Sequence, residues 1–307
     1  MRAGFRQICG PDPVQSECHP AEETCTADNF DETLAGLRSK ARAQGLWCPF
    51  IPVEHGGMGL RPLANALVQM ELGESHLGAL SLNTQGPDDA TMLTLLEHGT
   101  DFQKEKFLKP LLNGEKRICY SMTEKAAGAD ATGMQTTAVL EGDEWVLNGE
   151  KWFSSSASVA DIAVVMAKTD PDAPRHEQYS TFIVELPNPG YEIVRNIETM
   201  QPHTALGLKL GGSHSEIKID NLRVPRENIL GGQGQGFNMG QHRLAYGRLR
   251  HGMHNVAMAQ RALDLAAKHV VSRSTFGERL ADRQGVRWMM ADCASEIYKA
   301  RLMLLHI

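Results

Sequence analysis

From Asp31 onward the apolar residues fall at helical spacing, with Leu34, Leu37, Ala41 and then Gly45-Leu46-Trp47 on one face. The same spacing predicts helices over Pro62 to Leu72 and Gln103 to Leu112, and a glycine-punctuated loop, Glu54-His55-Gly56-Gly57-Met58-Gly59-Leu60, lies before them. From Thr136 the period changes to two. Short strands are predicted over Thr136 to Leu140, Trp145 to Leu147, Ile162 to Lys168, Thr181 to Leu186, Tyr191 to Val194 and Ser215 to Ile219. Gly142-Asp143 and Asn148-Gly149 carry the residue types of tight hairpin turns. After the glycine cluster Gly231 to Gly236 the helical period returns. It predicts one helix from about Gly240 to His269 and a second from Gln284 to Ile307, with Val286, Met290, Cys293, Ile297 and Leu304 on its apolar face. Residues 1–30 contain Pro11, Pro13 and Pro20 and no apolar period, so they read as an irregular arm. The expected organisation is therefore an arm (1–30), an N-terminal helical domain (31–118), a central β domain (119–230) and a partial C-terminal helical domain (231–307).

Composition narrows the class. At 307 residues, 42% hydrophobic and 22% charged, the chain is an ordinary globular sequence that can bury a large core. Its net charge of -6 removes the electrostatic motive for nucleic-acid binding, which leans on Lys and Arg at phosphates. No apolar run approaches the ~20 residues of a membrane helix, so a soluble protein without membrane insertion is expected. The six cysteines form no Cys-x-x-Cys pair and read as reduced thiols in a cytoplasmic protein. Two arginines in the first ten residues are followed by Glu17, Glu22, Glu23 and Asp28, against a transit peptide.

Several motif readings fail on spacing. The cluster Gly231-Gly232-Gln233-Gly234-Gln235-Gly236 has no Gly-Lys-Ser/Thr behind it and lacks Gly-x-Gly-x-x-Gly spacing, so it reads as a connector. His251 and His254, with His242 upstream, do not match a His-Glu-x-x-His zinc site and read as polar or packing histidines, with no metal expected. Gly-x-Ser-x-Gly is absent, which lowers the prior for a serine hydrolase. The stretch after Thr123 is different: Ala126-Ala127-Gly128-Ala129 would let backbone approach a flat ligand, because such residues put little in the way.

Three short motifs stand in a fixed order: Tyr120-Ser121-Met122-Thr123-Glu124, Lys151-Trp152-Phe153-Ser154-Ser155, and Arg273-Ser274-Thr275-Phe276-Gly277 with Gln284 beyond. Together they resemble the flavin-binding signatures of the acyl-CoA dehydrogenase family, over about residues 31–307. The finer likeness is to the subgroup fused in animals to a phosphotransferase-like kinase domain. It rests on Asn83-Thr84-Gln85-Gly86-Pro87-Asp88, the stretch Lys168 to His176, Gly247-Arg248 and Arg250-His251.

The resemblance implies an N-terminal α-helical domain, a central β-barrel and a C-terminal α-helical bundle that holds FAD. It places Tyr120, Met122 and Thr123 at the flavin, the latter two on its pyrimidine side, Phe153 against the ring and Ser155 near N5. Gly128 and Ala129 fall at the pyrophosphate. Arg273, Phe276 and Gln284 would hold the adenine half of FAD of a neighbouring subunit, implying a homodimer or homotetramer. Arg248 matches an arginine near the acyl-CoA substrate. The implied reaction is α,β-dehydrogenation to a trans-2-enoyl-CoA, by α-proton abstraction and β-hydride transfer to flavin N5, with electron-transfer flavoprotein as acceptor. Alternatives on the same fold are a flavin oxidase or monooxygenase, or a catalytically inactive binding or assembly protein.

Three positions depart from the family pattern: Lys125 stands for proline, Ala129 for serine and Phe153 for tryptophan. A lost neutral hydrogen bond at Ala129 costs about 0.5–1.5 kcal/mol. The catalytic base is not visible; in most members it lies beyond the position of Ile307, and in others one residue before the arginine, where this chain has Gly247. Without a base, the rate falls by ~10²–10⁴.

Overall fold

In the computed structural model, residues 20–200, 204–211 and 213–306 are described. In chain order the main elements are α1 (Phe30–Ala43), α2 (Pro62–Leu72), α3 (Asp88–His98) and the helical segment α4 (101–112). There follow β1 (Ile118–Ser121), β2 (Thr137–Glu141), β3 (Glu144–Ser155), β4 (Ile162–Lys168), β5 (Tyr179–Glu185), β6 (Tyr191–Asn196), β7 (His214–Pro225) and β8 (Ile229–Leu230). The chain continues through α5 (Gly236–Ser272), a hairpin of β9 (Ser274–Thr275) and β10 (Glu278–Arg279), and α6 (Gln284–His306). A short helix, Pro20–Thr24, falls inside the stretch read as an irregular arm, and the rest of that reading, residues 1–19, lies outside the described residues. Contacts divide the chain into two compact units: residues 1–84 with 248–307, and residues 85–247.

The β unit is one sheet in the order β6-β7-β3-β2-β4-β5-β8, with β1 pairing parallel to β4. Cys119, Ala138, Trp145, Leu147, Val165, Phe182, Tyr191 and Ile217 come from seven different strands and pack in one cluster. β4 is buried at every position but its last, which is why Ile162 to Ala167 reads as an unbroken apolar run. Gly142, at φ 63°, makes the predicted β2–β3 turn.

Asn148-Gly149 is not a turn; it lies inside β3, which runs on for twelve residues. The pair instead answers a register shift against β7, where Asn221 takes a left-handed φ of 50° and donates its N–H to Asn148 Oδ1 at 2.8 Å. The asparagine and glycine therefore fit a β-bulge, the other backbone irregularity that tolerates them. The helix α3 is absent from the periodic pattern because seven of its eleven residues are buried, including Asp88, Asp89 and Thr94. Within α4 the π-helical turn Lys104–Leu108 precedes Pro110, which lacks the N–H that an α-helix would use there. The glycine cluster joins β8 to α5, with Gly231, Gly232 and Gly234 all at positive φ, as a connector requires.

In the helical unit, Ala66 and Met70 of α2 pack with Met253 and Val256 of α5, and with Ile297, Ala300, Leu304 and Leu305 of α6. Gly73 permits the crossing, since a Cβ there would lie 2.8 Å from His254 Cα. The predicted apolar face of α6 is thus right at Ile297 and Leu304. Cys293, by contrast, is exposed, and so are Trp288, Met289, Tyr298, Leu302 and Met303.

His254 sits in this packing and donates from Nε2 to Gln69 Oε1 at 2.8 Å; Gln69 in turn donates to Thr84 Oγ1 at 2.9 Å. Burial, then the charge of Arg250, push the imidazole down to about 4. A histidine held neutral contributes stability that is present above its unfolded pKa of about 6.5 and is lost as pH falls towards 4. The expected loss is about 3 kcal/mol between pH 7 and 4, read as a drop in urea midpoint. His254→Asn is expected to remove that part of the acid dependence. An unchanged pH slope in the variant would show that His254 protonates freely in the folded protein.

Candidate functional site

Two of the motifs meet in the β unit, joined by three links. The extended segment leaving β1 runs beside the end of β3. Trp152 N–H donates to Thr123 O at 2.8 Å. The Ser121 hydroxyl is 2.8 Å from Ser154 Oγ and 2.8 Å from the Tyr191 hydroxyl, all buried. The third link is Lys151, fully buried, whose Nζ donates to Met122 O at 2.9 Å and to Glu124 Oε1 at 2.8 Å. Glu124 also accepts from the backbone N–H groups of Gln135 (2.6 Å) and Thr136 (3.0 Å). Burial pulls the Lys151 ammonium down to about 8 against the pull of Glu124. Burial acts to raise the Glu124 carboxyl, but the Lys151 charge and the Gln135 and Thr136 donors outweigh it and hold the group low. The lysine and glutamate therefore form a charged pair at neutral pH.

This framework leaves specific groups outward. Met122 and Thr123 are half-buried, and neither the N–H nor the hydroxyl of Thr123 has a hydrogen-bond partner among the described residues. β3 carries an extra residue between Lys151 and Ser154 relative to β7, and Phe153 takes a left-handed φ of 57° there. A bulge re-aims a side chain, and the Phe153 ring is 45% exposed. Non-glycine residues in this conformation cost of order 1–3 kcal/mol and cluster at functional sites. Ser155 Oγ lies 2.9 Å from His214 Nδ1, so its hydroxyl is already oriented by a neighbour.

After Glu124 the chain turns back through a bridge between Glu124 and Ala127. Gly128 and Ala129 are exposed, and a Cβ on Gly128 would meet nothing within 4 Å. Arg175 holds the far side of this loop through Asp130 (3.1 Å) and Thr132 Oγ1 (2.6 Å). Tyr120 and Met122 pack on Met134, Met166 and Tyr179.

The sequence motifs did not announce His214 or Arg243. Arg243 lies over the Tyr120 ring at 4.0 Å and donates from Nε to Thr91 Oγ1 at 3.1 Å. It sits on α5, three residues beyond Gly240, where a Cβ would be 3.0 Å from Met166 and 3.5 Å from the Tyr120 hydroxyl. Small-residue spacing at the start of that helix was the available signal.

In the helical unit, Arg273 follows the end of α5 and is exposed, with no hydrogen bond or ion pair for its guanidinium among the described residues. Phe276 occupies the tip of the β9–β10 hairpin at φ 55° and is 97% exposed; Arg283 lies 5.7 Å from its ring and donates to Thr275 O. Gln284 opens α6. Arg248 is exposed on α5 and makes no hydrogen bond or ion pair among the described residues, and a Cβ on the neighbouring Gly247 would meet nothing within 4 Å. Of the three histidines, His251 lies against Arg250, His254 against Gln69, and His242 beside exposed Glu97 and His98. No described helix is long and apolar enough to cross a membrane.

A helical N-terminal part, a central sheet and a helical C-terminal part define the architecture of a flavoprotein dehydrogenase family. The chain belongs to the acyl-CoA dehydrogenase family: residues 12–115 match its N-terminal domain, 119–221 its middle domain and 234–307 its C-terminal domain. It is 37% identical over 308 residues to mouse acyl-CoA dehydrogenase family member 10, covering 95% of this chain and 28% of that protein. It is 37% identical over 290 residues to the caffeyl-CoA reductase-Etf complex subunit CarC of Acetobacterium woodii, covering 92% of this chain and 74% of that one. A solved acyl-CoA dehydrogenase structure from Mycobacterium abscessus superposes with a TM-score of 0.87 at 33% identity, over 99% of this chain and 77% of the other. Relatives of the family member 10 and 11 type are thus matched over only about a third of their length.

Proposed function

We propose that the chain is the FAD-binding part of an acyl-CoA dehydrogenase that introduces an α,β double bond into an acyl-CoA thioester and passes the electrons to an electron-transfer flavoprotein. The observation that carries this is the place where the two motifs meet, at the end of β3 beside the segment leaving β1. There the Thr123 N–H and hydroxyl lack partners among the described residues and the Phe153 ring is turned outward by a bulge. A flat heteroaromatic ring with acceptor atoms along one edge is the ligand such a surface fits. FAD, when bound, supplies the two-electron acceptor for oxidation of the Cα–Cβ bond.

The chain's own residues would work as follows. Met122 and Thr123 meet the pyrimidine edge, Phe153 covers the ring and Ser155, oriented by His214, lies near it. Gly128 and Ala129 offer open backbone to the pyrophosphate. Arg273, Phe276 and Gln284 serve the adenine half of a neighbouring subunit's cofactor. The fully exposed Phe276 and the apolar Trp288, Met289 and Met303 in solvent support such a neighbour. Arg248 orients the acyl-CoA. The general base is assigned to a carboxylate outside residues 1–307, because position 247 is glycine. The name of the Acetobacterium relative, a subunit of a complex with Etf, supports the choice of electron acceptor.

The test is an absorbance spectrum of the purified chain reconstituted with FAD, followed by anaerobic addition of acyl-CoAs to the same chain extended by a family C-terminal segment. The expected results are a stoichiometric flavin band and its bleaching by a subset of acyl-CoAs. Protein that takes up no flavin would sink the reading.

A further inference from the structure

Lys151, a member of the second motif, reaches the first through a buried charged group. Its Nζ is fully buried and donates to Met122 O and to Glu124 Oε1, and the other Glu124 contacts fix the amides of Gln135 and Thr136. One buried pair therefore ties down the Met122 carbonyl, the start of the loop carrying Gly128 and Ala129, and the residues where that loop re-enters the sheet. The Met122 carbonyl belongs to the same peptide unit as the Thr123 N–H. A cation hydrogen-bonded to a carbonyl polarises that peptide and makes its N–H a stronger donor, as hydrogen bonds in series do. That N–H has no partner among the described residues.

We propose that Lys151 is a positioning residue that, through the Met122–Thr123 peptide, aims and strengthens the Thr123 N–H as a donor to the electron-rich edge of a bound flavin. The proposal rests on the flavin reading above. It assigns a function to a lysine that would otherwise be half of an internal ion pair and nothing more. Because negative charge on the ring edge grows on reduction, the donor favours the reduced cofactor over the oxidised one, and its loss lowers the reduction potential.

A double variant separates this role from a purely structural one. Lys151→Met with Glu124→Gln removes both charges together and avoids leaving one buried ion unpaired. If Lys151 only holds the fold, this variant regains wild-type behaviour once folded. On the proposal it folds, yet binds FAD at least tenfold more weakly and has a lower midpoint potential, by about 30 mV for each tenfold preference lost. A second pair, Lys151→Gln with Glu124→Gln, keeps a neutral donor to Met122 O and is expected to recover much of the affinity while retaining a lowered potential. Either variant, folded by circular dichroism and matching the wild type in FAD affinity and potential, overturns the proposal while leaving the flavin reading intact. A wild-type chain that binds no FAD overturns both.

Discussion

On the function proposed above, replacing Gly247 with glutamate is expected to raise acyl-CoA oxidation by the FAD-reconstituted 307-residue chain by about 10²–10⁴-fold, the range that a positioned general base supplies. The α proton of a thioester leaves fastest when a carboxylate stands within hydrogen-bond reach of it. The resemblance implies that some family members carry that carboxylate one residue before the arginine, which is position 247 here. The helix admits the change: a Cβ at Gly247 meets nothing within 4 Å, and glutamate is a better helix former than glycine by roughly 0.5 kcal/mol. The adjacent Arg248, exposed and without a partner among the described residues, favours the ionised form. Gly247→Gln is the control, equal in size and unable to take a proton. Equal rates for the two variants would show that position 247 does not face the reacting carbon in this chain.

Gly149→Ala is expected to cost about 3–5 kcal/mol and to lower the unfolding midpoint by roughly 10 °C, measured by calorimetry. Gly149 has φ 152°, and a Cβ there would lie 2.4 Å from Thr136 Oγ1 and 2.7 Å from Thr136 Cα. Thr136 cannot step aside. Its N–H is held by Glu124 and its hydroxyl donates to Glu150 O at 3.0 Å, so the strain would pass directly into the buried pair beneath the site. Gly142→Ala supplies the comparison: its φ of 63° disfavours alanine, but a Cβ there meets nothing. That variant is expected to lose only about 1 kcal/mol. Similar losses at both positions would mean that β3 relaxes away from Thr136.

Much of the fold was legible in the chain. Ile162 to Ala167 appeared as an apolar run because β4 is buried on both faces, and the start of α6 at Gln284 follows directly from its period. What escaped was whatever depends on non-local pairing. Asn148-Gly149 has the chemistry of a turn, and only pairing with β7 makes it part of a bulge. α3 is buried nearly all round and so has no polar face to mark its period. Within the site, residue type and order pointed to Met122, Thr123 and Phe153. The sequence could not show that Lys151 and Glu124 meet across 27 residues, nor that Ser121 finds Ser154. The contribution of Arg243 and His214 likewise depends on elements folded back from far along the chain.

The bulge that turns Phe153 outward also fixes an optical property. Trp152 is its neighbour in the chain, half-buried, with the two rings 5.2 Å apart, and Lys125 and Arg195 within 5.2 and 5.5 Å of the indole. A chromophore seated on Phe153 would be close enough to drain the Trp152 emission by resonance energy transfer. Trp145 is sealed in the sheet core against Phe182 and is expected to emit in the blue, whereas Trp288 stands 62% exposed on α6. Beside Trp47, buried in the helical unit, the chain thus carries three unlabelled gauges: one indole for occupancy of the ring surface, one for the integrity of the sheet, and one whose colour changes when another surface covers the last helix.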